Sequence, residues 1–199
     1  AGLITQDASL TRERVFNDVA LTVTGSETLR RNGFIVISGI EEENILVKMK
    51  VDVPQREYNS VTASNYNPRL DLTKITDTGE QTLKISTTST TTYGTVTEVS
   101  PDSINVVVDN YVTTYRLPVS VRLVGDYPTG FYGTTPTLDP SVVSVSGPES
   151  IVSQIARVRI DFDVSLLTAQ AGLVRTALAL NYEDEDGNLL DSSLVEASS

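Results

Sequence analysis

Neither cysteine nor histidine occurs anywhere in this chain of 199 residues. Without cysteine there is no disulfide and no thiolate nucleophile, and the redox state of the compartment leaves no mark on the sequence. Without histidine, Ser-His-Asp and Cys-His activation are excluded, together with the common zinc sites. An enzyme made from this chain would have to rely on carboxylates, lysine, tyrosine or a cofactor. We expect no catalytic residues and no cofactor. Basic residues are also scarce, with 15 against 26 acidic ones and a net charge of −11. Nucleic acid is therefore not an expected partner, because its affinity comes largely from cations displacing phosphate counterions. Direct adhesion to anionic lipid is disfavoured on the same ground, and the acidic surface reads mainly as a solubility device. No apolar run reaches the roughly 18 residues that a membrane helix needs. The chain opens at Ala1-Gly2 without an initiator Met, and we read it as a piece of a longer protein from which any targeting segment is missing.

Valine, isoleucine, threonine and tyrosine are plentiful, and these residues pack best on a half-buried pleated surface. A mostly β fold is the expectation. Residues 1–14 are polar and aperiodic and read as a lead-in arm. Asp18–Gly25 (DVALTVTG) alternates, with Val19, Leu21 and Val23 on one face, and ends in glycine. Glu27–Arg31 suits one helical turn. Ile45–Val53 places Val47, Met49 and Val51 on one side and Lys48, Lys50 and Asp52 on the other. Pro54 stops it, since proline cannot donate to a ladder. Further strands are expected at Phe34–Ile37, Arg69–Leu72, Gln81–Ser86 and Ile104–Val108, with turns at Asp77–Gly79 and Ser100–Ser103. A short strand is possible at Val61. Glu41-Glu42-Glu43 reads as a solvated loop, Thr87–Thr92 as an exposed edge or loop, and Tyr111–Tyr115 as a linker or strand extension.

From Leu117 the pattern starts again. Pro118–Gly125 (PVSVRLVG) parallels Asp18–Gly25, and Thr129-Gly130-Phe131-Tyr132 parallels Asn32-Gly33-Phe34-Ile35. Phe162-Asp163-Val164-Ser165 then parallels Leu70-Asp71-Leu72-Thr73. Three correspondences in one order, at spacings of roughly 100, 97 and 92 residues, describe an internal repeat. The first copy is expected over residues 15–115 and the second over 116–199, with the boundary near Arg116. The second contains Leu173–Tyr182 and an acidic turn but no counterpart of SPDSINVVV, so its last strand is expected to be missing.

Asp139–Ser165 compresses a strand, a break, a helix and a second strand. Pro140 fixes φ ahead of Val142, Val143 and Val145, and Gly147-Pro148 breaks the strand. Pro148 suits the start of a helix and Glu149 its first turn. Ile151, Val152 and Ile155 then share one face of a helix expected to last about nine residues, too short to stand alone. Asp161 and Asp163 lie two apart on the following strand and project to one face, as an acid/base pair could. A glycosidase pair normally comes from different strands, so a structural role is expected: Arg157 and Arg159 can balance them, or Asp163 can bond the loop behind it. Asp184, Asp186 and Asn188 are the other candidates, alternating like the start of a calcium loop. Gly187 comes too early for such a loop, and Val195 stands where the closing glutamate belongs. An Asp-Gly hairpin turn explains the run, and no metal is expected.

Residues 117–199 resemble the YbbR-domain family, found as tandem repeats in bacterial cell-envelope proteins. The likeness lies in LPVSVRLVGDYPTGF, in LDPSVVSVSGPESIVSQIARVRIDFDVS and in the acidic Asp184–Gly187 turn. Its most specific part is V-x-V-x-G-P-E-S followed by a short helix and D-V-S. Gly125, Gly130, Pro140, Gly147, Pro148 and Asp163 are the residues of this pattern, in structural roles. The first copy lacks an equivalent of Gly147, although Val53-Pro54-Gln55 can occupy the same place. The resemblance implies two tandem repeats of short twisted strands, each around a small core, with one short helix in the second. It also implies a membrane anchor N-terminal to this segment and a position on the extracytoplasmic face of the bacterial membrane. Members in Gram-positive bacteria resemble the regulator that partners a membrane diadenylate cyclase and modulates cyclic di-AMP production. We therefore expect a non-enzymatic regulatory module acting through protein contacts, with a cell-envelope adhesion or wall-glycan-binding module as the alternative.

Overall fold

The computed structural model describes residues 10–41, 44–130, 141–166 and 179–198. The elements run β1 (Thr11–Ala20), β2 (Thr22–Thr24), α1 (Ser26–Arg31), β3 (Phe34–Ser38), β4 (Leu46–Pro54), β5 (Arg69–Asp71), β6 (Gly79–Lys84), β7 (Thr95–Ser100) and β8 (Ser103–Val124). They continue with β9 (Val142–Pro148), α2 (Glu149–Val152), β10 (Arg157–Asp163), β11 (Leu180–Glu183) and β12 (Glu196–Ser198). The fold is mostly β, as the composition requires. Two compact units divide the chain at residues 1–109 and 110–199, and the passage falls within β8.

The clean alternation of β4 organises the first unit. Its inward residues Val47, Met49, Val51 and Val53 are at most 2% exposed, and each stabilises the fold by about 1.5–3 kcal/mol through loss of apolar surface to water. β4 is the middle strand of an antiparallel sheet, with β1 on one side and β7 on the other. A parallel pair, β2 with β5, lies beside it in the chain order. The leading half of β8 pairs with β6 over Ser103–Val108 and also with β3. Leu29, Val36, Leu70, Leu72, Leu83, Val106 and Val108 from these elements join the β4 residues in one core.

Several expectations for this unit change. Thr11–Arg14 are not part of an arm but the start of β1, in register with Pro54–Val51. Their polar side chains obscure this, because they serve aromatic partners: the Arg12 guanidinium stands 4.4 Å over the Tyr58 ring and that of Arg14 4.8 Å over Phe16. Arg14 also donates to the carbonyls of Tyr58 and Val61 at 2.7 and 2.9 Å. Val61 is buried in a loop of 3₁₀ turns and forms no strand. β7 went unforeseen because a register shift opposite Lys50 and Val51 spoils its alternation. Thr88 and Thr90 bond across to Tyr66 and Gly94, which makes the threonine tract a closed loop.

The second unit repeats parts of this plan. β9 is again a middle strand, antiparallel to β8 over Tyr111–Pro118 and to β12. Tyr111–Thr114 are thus strand residues of the second unit, and the chain changes units before Arg116. β12 supplies a third strand to that sheet, while among the described residues none takes the place that Ser103–Val108 fills in the first unit. The end of β8 pairs in parallel with β10, and β10 is antiparallel to β11. Leu117, Val143, Val145, Val152, Ile155, Val158 and Tyr182 form the core.

The helices also differ from expectation. Among the described residues each unit has one: α1 falls on the helical turn expected at Glu27–Arg31, although the resemblance implied a helix in the second unit only. α2 is only 4 residues long: Gln154 and Ile155 bond back three residues, and the Ala156 N–H is taken by the Glu183 carbonyl, which starts the β10–β11 ladder. Pro140, Phe131-Tyr132 and most of Leu173–Tyr182 lie outside the described residues, as do Glu42 and Glu43.

Leu70 is fully buried. Leu70→Ala is expected to lower stability by about 2–5 kcal/mol, measured as a shifted denaturant midpoint with an unchanged slope.

Candidate functional site

Both units contain the same joint. In the first, parallel strands β2 and β5 end side by side at Thr24 and Asp71. In the second, β8 and β10 end at Val124 and Asp163. The residue after each leading strand is a glycine at positive φ, 86° at Gly25 and 80° at Gly125. A methyl group on Gly125 would collide with Asp163 Oδ1, and one on Gly25 would meet Thr73 and Asp71. Each aspartate in turn caps its own chain. Asp71 Oδ1 accepts from the Thr73 hydroxyl at 2.6 Å and its amide at 3.0 Å. Asp163 Oδ1 accepts from the Ser165 hydroxyl and amide at the same two distances. These donors favour the charged form, so the hydroxyl first and the amide second hold both carboxyls below the ordinary range.

A second device is also duplicated. β1 shifts register between Phe16 and Val19, with Asp18 at φ 54°. β8 shifts between Thr114 and Leu117, with Arg116 at φ 58°. Each is a bulge with a non-glycine residue in the left-handed region, a costly conformation that recurs only where the neighbours impose it. Sequence reading missed both. The available signal was a lapse in alternation, since Phe16 and Val19 both pack inward although they are three residues apart.

The remaining residues of the pattern fall as follows. Gly130 has φ 91° with open space around it, a turn requirement and nothing more. Gly147 is buried, and a Cβ there would press on the Leu194 carbonyl and on Val152 and Val195. Pro148 ends β9 and precedes α2 with φ −61° and ψ 135°. Pro54 ends β4 with φ −54° and ψ 134° before a 3₁₀ turn, so Val53-Pro54-Gln55 does occupy the corresponding place.

Asp161 and Asp163 do not converge on a common point. Asp163 bonds Ser165, while Asp161 faces Arg159, with Nε to Oδ1 at 3.0 Å and Nη2 to Oδ2 at 3.3 Å. The first of these is a charge contact too poorly aligned to be a hydrogen bond. Arg159 also reaches Glu183 Oε1 at 2.9 Å, and Arg157 reaches Oε2 at 3.0 Å. Glu183, 6% exposed, is thus a buried carboxylate held between two guanidiniums. Nothing in the acidic run Glu183–Asp186 marks its first member as the buried one.

Asp184, Asp186 and Asn188 do come together, but around backbone rather than open space. Asp184 Oδ1 accepts the amides of Asp186 and Asn188 at 3.0 and 2.9 Å. The Asn188 amide first, with lesser help from the other donors and Arg157, keeps the Asp184 carboxyl below its ordinary range. Gly187 turns the chain at φ 83°, and Asp184 N–H bonds the Asn188 carbonyl. This is a hairpin turn closed by two backbone amides on its leading carboxylate. Among the described residues no group of three acidic side chains could hold a metal ion. A shallow polar concavity of about 370 Å³ lies over the β6–β8 pair, floored by Thr82 and Asn105 in mutual hydrogen bond.

A family model described as YbbR-like protein matches residues 117–195. No curated protein matches. Among solved structures, a YbbR-like protein from Streptococcus pneumoniae aligns at 12% identity and TM-score 0.49, covering 97% of this chain and 92% of that one. A YbbR-like domain from Listeria monocytogenes aligns at 24% identity and TM-score 0.39, covering 50% of this chain and 94% of that one.

Two predictions follow from the joint. Gly125→Ala meets both the φ penalty and Asp163, whereas Gly130→Ala meets the φ penalty alone. Thermal denaturation is expected to show a loss of about 2–4 kcal/mol for the first and about 1 kcal/mol for the second. Asp71, Asp163 and Asp184 all have folded values below the unfolded one near about 3.9. Their contribution is therefore present above about pH 4 and lost as pH falls through the folded values. Asp163→Asn should flatten the acid limb of the stability–pH curve, and an unchanged limb would contradict the assignment.

Proposed function

We propose that this chain is a non-enzymatic interaction module of the bacterial cell envelope, a reading that starts from the match of residues 117–195 to a family model described as YbbR-like protein. The observation that carries the reading is the fate of its carboxylates. Asp163 caps a turn, Asp161 and Glu183 neutralise two arginines, and Asp184 closes a hairpin. These four carboxylates, which include the candidates Asp161, Asp163 and Asp184 for acid/base or metal chemistry, are occupied in holding strands and turns.

In this reading both units are YbbR-like repeats, displayed on the extracytoplasmic face of the membrane by an anchor N-terminal to Ala1. They regulate a membrane diadenylate cyclase through protein contacts, and so set cyclic di-AMP output. The duplicated glycine–aspartate joint and the duplicated bulge support the treatment of residues 1–109 as a second example of the same domain. The net charge of −11 favours a protein partner over nucleic acid or anionic lipid.

A wall-glycan-binding module is the competing reading, and one feature favours it. The outward face of β9 carries Ser144 and Ser146 beside Thr113, whose hydroxyl lies 2.7 Å from that of Ser146. Tyr115 stands on the neighbouring bulge at 73% exposure. A hydroxyl row flanked by an exposed ring is suited to sugars.

Co-purification of the full-length protein with the cyclase of its own genome, together with cyclic di-AMP measured after gene deletion, separates the two. Association with an altered nucleotide level is expected. Sedimentation with isolated cell wall, no association and unchanged nucleotide would replace the first reading with the second.

A further inference from the structure

Of the ten asparagines in the chain, only Asn32 is followed by glycine. That pairing carries a chemistry of its own. The main-chain nitrogen of the following residue can attack the side-chain carbonyl carbon of asparagine, and a side chain on the attacking residue obstructs the approach. Glycine offers no obstruction. Space is open as well, since a Cβ built on Gly33 meets nothing within 4 Å. Asn32 is exposed, and its carboxamide makes no hydrogen bond among the described residues. Other asparagines are committed or blocked. Asn65 accepts the Thr62 amide, Asn105 accepts from Thr82, and Asn110 donates to Glu149. Asn67 precedes a proline, which has no N–H.

The folded geometry holds this reaction off. Asn32 caps the C-terminus of α1 with φ −81° and ψ −1°. At that ψ its own nitrogen eclipses the Gly33 nitrogen, and Cβ lies about a third of a turn away. Ring closure needs Cβ in the eclipsed place instead. The nucleophile is also occupied, because Gly33 N–H donates to the Arg30 carbonyl at 2.9 Å. The reaction therefore waits for release of that bond and rotation about ψ. α1 is built to release it easily. It has 6 residues, its N-cap Gly25 supplies no side-chain bond, and Leu29 is its buried residue. So short a helix is marginal, and fraying ends open at the lowest free energies in a native structure.

We propose that Asn32 is a site of spontaneous deamidation, gated by opening of the last turn of α1. The Gly33 nitrogen bonds to Asn32 Cγ, the Cγ–Nδ2 bond breaks, and ammonia leaves with the proton from Gly33. Water then adds to either carbonyl of the cyclic imide. One product is aspartate; the other is isoaspartate, whose main chain is longer by one carbon. Each changes the joint between α1 and β3. The new carboxylate stands at the C-terminal end of a helix, the end that disfavours negative charge. The extra carbon shifts the entry to β3, where Ile35 and Val36 are buried. Asp186-Gly187 in the second unit does not follow at neutral pH. A carboxylate must be protonated before it can lose water, and Asp184 clasps that turn.

The test follows the complete chain at mildly alkaline pH by peptide mapping, beside the free peptide SETLRRNGFIV of residues 26–36. An isoaspartyl methyltransferase serves as the probe for the second product. Asn32 is expected to convert before any other asparagine of the folded chain. It should convert more slowly than in the peptide, and at the peptide's rate once the chain is unfolded in urea. Arg31→Gly loosens the last turn at an exposed position and should raise the folded rate about fivefold relative to a peptide with the same substitution. The comparison of chain and peptide needs no substitution, so it decides the matter even where that variant fails to fold. Four outcomes would overturn the proposal: intact Asn32 in the folded chain after the peptide has converted, earlier conversion of another asparagine, equal rates in folded chain and peptide, or a folded rate indifferent to Arg31→Gly.

Discussion

Two strand ends in this chain meet an aspartate whose carboxylate is already turned onto its own backbone. Asp71 and Asp163 each bond the hydroxyl and amide two residues ahead, which brings an oxygen against the adjacent strand end. Only a residue without Cβ and at ease with positive φ fits there. Gly25 and Gly125 meet both conditions. The joint fixes where the parallel pair stops and sends the chain off the sheet in a set direction. Neither member works alone: without the hydroxyl partner the aspartate has no reason to face inward, and without the glycine it has no room.

The antiparallel sheets depend on this joint through their chain order. In each unit the chain that leads to the glycine first pairs with a middle strand, β4 or β9, whose alternating apolar residues point into the core. The bulge at Asp18 or Arg116 lies between those two tasks. It shifts the side-chain register by one residue, so that Val19 and Leu117 still point inward where the ladder resumes. A left-handed aspartate or arginine is unfavourable in isolation, and the packing of the residues on both sides outweighs that penalty.

The strongest periodicities of the sequence told the truth about β4, the end of β8 and the strand Val142–Pro148, because one buried face against one wet face imposes period two. The D-x-[ST] pairing with a distant glycine was visible as a repeat, although its physical content was not: a hydrogen bond across two residues and a steric limit across about forty are different kinds of information. β1 and β7 were hidden for opposite reasons. β1 opens with arginines whose stems and guanidiniums cover aromatic rings, which reads as polarity, and β7 loses its alternation to a bulge of its own at Thr97, opposite Lys50 and Val51. The nine-residue helix failed because an apolar face at helical spacing is equally served by one turn followed by a strand. Ile155 reaches the core from beyond α2.

For the site, the carboxylates repay the closest comparison. Sequence spacing could place Asp161 and Asp163 on one strand, but not predict that one would look along the sheet to Arg159 and the other back to Ser165. That choice depends on Glu183, which arrives from β11 and takes one guanidinium nitrogen from each of two arginines. A buried charge without such partners would be strongly destabilising, and with them it is close to neutral while demanding one geometry. The network therefore specifies how β10 and β11 pair more than it strengthens the pairing. Asp184 is likewise committed to structure, its Oδ1 closing a turn through the amides of Asp186 and Asn188. These carboxylates thus act on the chain's own strands and turns.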